Sequence, residues 1–299
     1  MGMLVTVALS LVTALSYGVS DFLGAVGARR LKVLPGTAVT YGFALLTLLV
    51  MLPLIGGAWS AETVLWGAVA GVSAIIGFLA FYAALAAGPM SLASPLIAII
   101  GSLVPVVIAL LLGEQLPPLA WAAIVLALLG GALISVTRGG SRAGIPRKTG
   151  VLSVLAGVGL GGSIAALDRA PQDSGVTAAV VEITVGVVLL GVLLLAVRVS
   201  ARSRSALAML DEEQAAELVP SRARAWAASA VGGVLLGVSN GVLLIALQSG
   251  SLAVVSVIVG LYPVGTIVLA RIVYREKLTL VQLGGVVLAI AASVLLALS

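Results

Sequence analysis

Apolar residues run through this chain in stretches of about 20, the length that crosses the hydrocarbon core of a bilayer. Turn residues and charges break these stretches at regular intervals. Marked between the breaks, the pattern predicts ten spans, near residues 3–27, 36–56, 63–87, 90–112, 117–137, 149–168, 175–197, 225–248, 251–273 and 278–298. Little is left over beyond a basic connector at 138–148 and a polar loop at 198–224, within which 210–218 reads equally as a short surface helix or a solvated linker. The first stretch lacks a basic leader and is followed shortly by a second, so it reads as a retained first helix rather than a cleaved signal. The fold class is therefore an all-α polytopic membrane protein.

Composition sharpens this reading. Of 299 residues, 61% are hydrophobic and 9% charged, against about a quarter charged in a soluble domain. The mean hydropathy is +1.27, and 36 glycines suit helices that pack closely through small residues. There is no Cys and no His, which excludes disulfides, thiolate or imidazole metal sites, thiol nucleophiles and Ser-His-Asp triads. Nothing in the chain calls for a cofactor.

The net charge of +5 records orientation rather than affinity for nucleic acid. Counted by loop, 15 of the 16 basic residues fall in odd-numbered loops, and Arg169 alone lies in an even one. Basic residues resist translocation, so the odd loops are expected in the cytoplasm and both chain ends outside. The expected location is the inner or plasma membrane.

The chain also repeats itself. At an offset of 162, Ala84-Leu85-Ala86-Ala87-Gly88 falls on Ala246-Leu247-Gln248-Ser249-Gly250, and Gly113-Glu114-Gln115-Leu116 on Arg275-Glu276-Lys277-Leu278; seven of the 33 pairs between 84–116 and 246–278 are identical. The halves are expected at 1–137 and 149–299, joined by a cytoplasmic linker at 138–148. Five spans per half is an odd number, so the second half enters the membrane from the opposite side. The charges agree: the loop after span 4 holds Glu114, while its counterpart after span 9 holds Arg275 and Lys277. Antiparallel five-helix halves around a midplane site are a recurrent construction of secondary transporters, which expose that site alternately to each side.

The segment Leu261-Tyr262-Pro263-Val264-Gly265, followed by Glu276-Lys277-Leu278-Thr279-Leu280-Val281-Gln282-Leu283-Gly284, resembles the end of an EamA-type repeat of the drug/metabolite transporter superfamily. Glu114-Gln115-Leu116 and the apolar helix 119–135 resemble the same ending in the first half. The resemblance implies ten helices, a cavity bounded mainly by helices 1, 3, 4, 6, 8 and 9, and export or exchange of a small metabolite. This chain departs from the family pattern in helix 1, with Tyr17-Gly18 in place of Trp-Gly, and in helix 4, where Gly101 stands at the proline position and Pro105 follows four residues later.

Few polar residues lie deep in spans. Glu182 sits about 6 Å from the middle of span 7, where an acid costs on the order of 2.5–3.5 kcal/mol on insertion scales. It suits proton coupling or substrate contact, or else a protonated acid bonded to a neighbouring helix. Tyr17, Ser20 and Asp21 share a face of span 1; the alternative for Asp21 is an ion pair with Arg29, Arg30 or Lys32. Span 8 carries Gly233, Gly237 and Gly241 as a close-packing stripe, with Asn240 as a mid-span amide that needs a helix or ligand partner. Ser163 accompanies the small residues Gly157, Gly161 and Gly162 of span 6. Pro105 and Pro263 are candidate helix breaks, and Ser102, Ser256 and Tyr262 candidate cavity linings beside them. Glu114 and Glu276 read as structural acids at the starts of spans 5 and 10. Asp168, Arg169 and Asp173 form a charge cluster, either a surface salt-bridge network or an outer gate.

The expected function is secondary transport of a small neutral or zwitterionic metabolite such as an amino acid. No Lys or Arg lies deep in a span to hold a phosphorylated substrate. Proton-coupled multidrug export is the alternative within transport, though aromatics are few for a cationic-drug cage. An intramembrane enzyme is the alternative of another class; it lacks HExxH, GxSxG and a pair of acids at shared depth, since Asp21 and Glu182 lie toward opposite faces. No GxxxxGK[ST] motif is present, so the energy source is a gradient or a separate subunit. The expected partners are the lipid bilayer and a small-molecule substrate, with protons as the candidate coupling ion, and the expected assembly is a monomer or homodimer.

Overall fold

The computed structural model describes residues 2–87, 90–134, 147–200, 203, 205, 221–262, 265 and 279–298. Its helices are α1 (Met3–Leu31), α2 (Val33–Ile55), α3 (Ala61–Ala87), α4 (Met90–Leu111), α5 (Pro118–Ile134), α6 (Arg147–Asp168), α7 (Thr177–Val199), α8 (Arg222–Ser249), α9 (Leu252–Val259) and α10 (Leu280–Leu298), with a 3₁₀ turn at Gln172–Ser174. Each expected span holds one of them, so the chain is an all-helical, multi-pass membrane protein. Six helices contain long apolar spans and three more contain shorter apolar segments. The segment 210–218, the connector 138–146, Pro263 and Glu276 lie outside the described residues.

Several boundaries differ from the expectation for identifiable reasons. The loop expected at 28–35 shrinks to one residue, Lys32, in the left-handed region at φ 68°. Pro35 falls inside the first turn of α2, where a helix needs no amide donor. Helix α8 begins at Arg222 because the Ser221 side chain accepts from the Arg224 amide at 3.3 Å, capping it. The ninth span is interrupted: α9 ends at Val259, and Gly260 and Leu261 turn before Tyr262. A proline at 263 has no N–H to donate to the Val259 carbonyl, which explains an ending there.

The packing obeys an internal symmetry. Helix α1 packs along α8 and α6 along α3; α2 joins α8 as α7 joins α3; α4 meets α6 as α9 meets α1. Replacing each helix by the one five places away maps every one of these pairs onto its counterpart. The pairs α2·α7, α4·α9 and α5·α10 map onto themselves, while some lesser contacts, such as α1·α2, have no comparable counterpart among the described residues. This is the pairing expected of two related halves about a twofold axis, and it divides the centre into two bundles. One contains α1, α2 and α8, the other α3, α6 and α7.

Small residues bring these helices together, since lipid leaves little hydrophobic drive for helices to associate. A Cβ on Gly237 would lie 2.6 Å from the Ala44 carbonyl of α2, and one on Gly71 2.6 Å from the Glu182 carbonyl of α7. The stripe Gly233, Gly237, Gly241 faces α2 along its length, so its role is close helix contact. Across α4 and α6, a Cβ on Gly161 would lie 2.5 Å from the Gly101 oxygen and 3.0 Å from Pro105 Cδ. Pro105 does not break α4, which is continuous from Met90 to Leu111.

Candidate functional site

Two polar pairs form between helices that otherwise present apolar and small residues. In the first bundle, the Tyr17 hydroxyl of α1 donates to Asn240 Oδ1 of α8 at 2.9 Å. Asn240 Nδ2 donates in turn to the Leu236 carbonyl at 3.0 Å, so both ends of a 3% exposed amide are engaged. In the second bundle, the Ser163 hydroxyl of α6 donates to Glu182 Oε1 of α7 at 2.8 Å. Glu182 is only 6% exposed, and its Oε2 has no hydrogen-bond partner. A buried carboxyl with one unmatched oxygen is costly, and it can accept a ligand donor or carry a proton.

The two pairs face a common interior. Glu182, Tyr41 and Asp21 all lie within electrostatic range of the Tyr17 phenol. Asp21, one helical turn beyond Tyr17, is also within range of Tyr262, past the end of α9.

Other expected residues are occupied elsewhere. Ser20 donates to the Gly232 carbonyl of α8 at 2.8 Å and is buried in the α1–α8 contact. Its helix-packing role has a counterpart in Ser73 of α3, which donates to the Gly159 carbonyl of α6 at 2.8 Å. Ser102 returns its proton to its own helix at Ala98, 3.0 Å away, and packs against Gly260. Ser256 is buried and its hydroxyl has no partner.

Glu114 precedes α5, and its Oε1 has no hydrogen-bond partner. Its carboxylate accepts from the Ala253 amide in the first turn of α9, in the other half of the chain, while burial raises its pKa from the usual carboxylate value. Asp168 lies within range of both Glu114 and Arg169, and the Arg169 guanidinium sits 5.7 Å above the Trp66 ring. Asp173 contributes its backbone oxygen, which accepts from the Ala58 amide at 2.8 Å.

Two residues escaped the sequence reading. Tyr41 of α2 is buried against Gly186, one turn from Glu182, and meets Phe78 edge-on at 6.2 Å. A phenol in mid-span was the available signal. Gln248 donates from Nε2 to Ser174 Oγ and to the Gly175 carbonyl, both at 3.1 Å; its position at the end of a span gave no hint of this. The resemblance also leaves helix 7 out of the cavity wall, whereas α7 supplies Glu182.

A solved crystal structure superposes on this fold with a TM-score of 0.68 at 18% sequence identity, covering 97% of this chain and 95% of the other. Among curated proteins none matches the sequence. The profile described as EamA-like transporter family matches twice, over residues 4–136 and 148–298. With both halves matched and nearly the whole length covered, the chain belongs to the EamA-like transporter family.

Proposed function

We propose that this chain is a secondary active transporter that exports or exchanges a small neutral or zwitterionic metabolite, such as an amino acid, by alternating access. The reading rests chiefly on the placement of Glu182. It is a buried acid with one oxygen held by Ser163 and one free, in a bundle that faces the Tyr17–Asn240 pair of the other. A zwitterion carries both an ammonium donor for such an oxygen and a carboxylate for hydroxyl and amide donors. Proton exchange at Glu182 supplies the coupling. The basic residues of the odd loops orient the short connectors 56–60, 112–117, 169–176 and 250–251 to the outside.

The test is counterflow in liposomes holding the purified protein, screened over amino acids, sugars and drugs with and without a proton gradient. Amino-acid counterflow that falls more than 10-fold in Glu182→Gln supports the reading. Counterflow restricted to hydrophobic cations favours multidrug export. No counterflow of any compound, together with a hydrolytic activity, overturns the transporter assignment.

A further inference from the structure

We propose that the rigid units that move in transport are the two mixed bundles, α1–α2–α8 and α3–α6–α7, and that Gln248 latches them together on the face of the short connectors. The proposal rests on the alternating-access reading above. Each bundle draws helices from both halves of the sequence, because α8 packs along α1 and α2, and α3 along α6 and α7. The contacts within each bundle are lined by glycine, as at Gly237 on Ala44 and Gly71 on the Glu182 backbone. Helices in such contact have no room to slide without backbone collision, so each bundle moves as a body.

Several hydrogen bonds between the bundles gather at one face. Gln248, in the last turn of α8, donates to Ser174 and Gly175 in the connector leading into α7. Beside it, the Val176 amide donates to the Gly56 carbonyl at the end of α2, at 3.2 Å, and Gly175, at φ 51°, lies against Gly56 and Gly57. In this cluster Gln248 is the side chain that carries the bridge from α8, and the neighbouring links run between backbones. Opening this face separates α8 from the Ser174–Gly175 connector and breaks both Gln248 bonds. A different bond on the same face serves as a control. The Thr6 hydroxyl of α1 donates to the Ser249 carbonyl of α8 at 3.1 Å, which lies inside one bundle and does not break when the bundles part.

The absence of native cysteine permits a direct test. Leu244 sits one turn inward of Gln248 on the same face of α8 and is 0% exposed. In full-length Leu244→Cys protein in nanodiscs, the rate of reaction with a membrane-impermeant maleimide reports opening at this face. Gln248→Leu is expected to raise that rate about 10-fold, as loss of two hydrogen bonds implies, and Thr6→Val to leave it unchanged. If Gln248→Leu fails to fold, Gln248→Glu, which removes the same N–H donors at nearly constant size, carries the same expectation. An unchanged rate in the folded Gln248 variant, or an equal rise in Thr6→Val, overturns the proposal. Labelling requires no substrate, so a chain inactive in every counterflow assay still reports on the latch.

Discussion

The bond between Ser163 and Glu182 is the sharpest energetic test of the candidate site. Replacing Ser163 by Ala removes the hydroxyl that donates to Oε1 at 2.8 Å. Because Oε2 already has no partner, a carboxyl that is 6% exposed then has neither oxygen matched. Hydrogen bonds between membrane helices average about 0.6 kcal/mol and reach about 1.7 in double-mutant cycles. A carboxyl acceptor in a water-poor interior belongs at the upper end, so a coupling of about 1–2 kcal/mol is expected. The assay is a cycle of wild type, Ser163→Ala, Glu182→Leu and the double variant, unfolded reversibly by titrating denaturing detergent into mixed micelles. Glu182→Leu removes the acceptor at similar volume, so the single replacement of Ser163 should cost less in its background than in wild type. Additivity within about 0.3 kcal/mol would refute the reasoning, because it would mean that the two side chains do not depend on each other.

Three further outcomes follow from the same geometry. Gly237→Leu should cost about 1–3 kcal/mol or more by overpacking the α2–α8 contact, whereas Gly191→Ala, with nothing within 4 Å of its Cβ, should stay within about 0.5 kcal/mol of wild type; detergent-unfolding midpoints compare them. Tyr17→Phe removes the donor to Asn240 Oδ1 and should cost about 0.5–1.5 kcal/mol while reducing transport, whereas unchanged counterflow would take this phenol out of the site. Burial raises the Glu114 pKa in the folded chain, so the folded state keeps its proton to higher pH than the unfolded one. That contribution favours the fold below the unfolded carboxylate value, near 4.3, and is lost as pH rises through the folded value. Glu114→Gln should therefore flatten the decline in stability between wild-type measurements at pH 4 and pH 7.

Much of the architecture is legible in the sequence because lipid imposes it. A run of apolar residues long enough to span must be helical, and an odd number of spans per repeat forces inversion, so helix count and symmetry follow from pattern alone. The joints are less legible, because they depend on local exceptions. Lys32 takes a positive φ that is uncommon for a lysine, and the helix α9 ends at Val259 in the middle of an apolar run.

Within the site, the sequence singles out Glu182, Tyr17, Asn240 and Ser163 because each is polar where lipid penalises polarity. Their pairing is not readable, since it depends on which helices become neighbours. Glu114 illustrates this: its position before α5 suggests a local cap, yet its partner amide, Ala253, is brought to it from the other half of the chain. Tyr41 is a mid-span phenol like Tyr17, but its contact with Gly186 comes from a neighbouring helix, and Gln248 looks ordinary at the end of its span until the fold brings Ser174 and Gly175 to it.

Alternating access at a site between the two bundles is the central claim, and the accessibility of Ser163 tests it most directly. The variant Ser163→Cys, the sole cysteine in the chain, is exposed to an impermeant thiol reagent from one side of sealed vesicles and, separately, from the other. The account predicts slow labelling from both sides, and a changed ratio of the two rates when a transported compound is added. Labelling from one side only, unaltered by any compound that the protein transports, would contradict it.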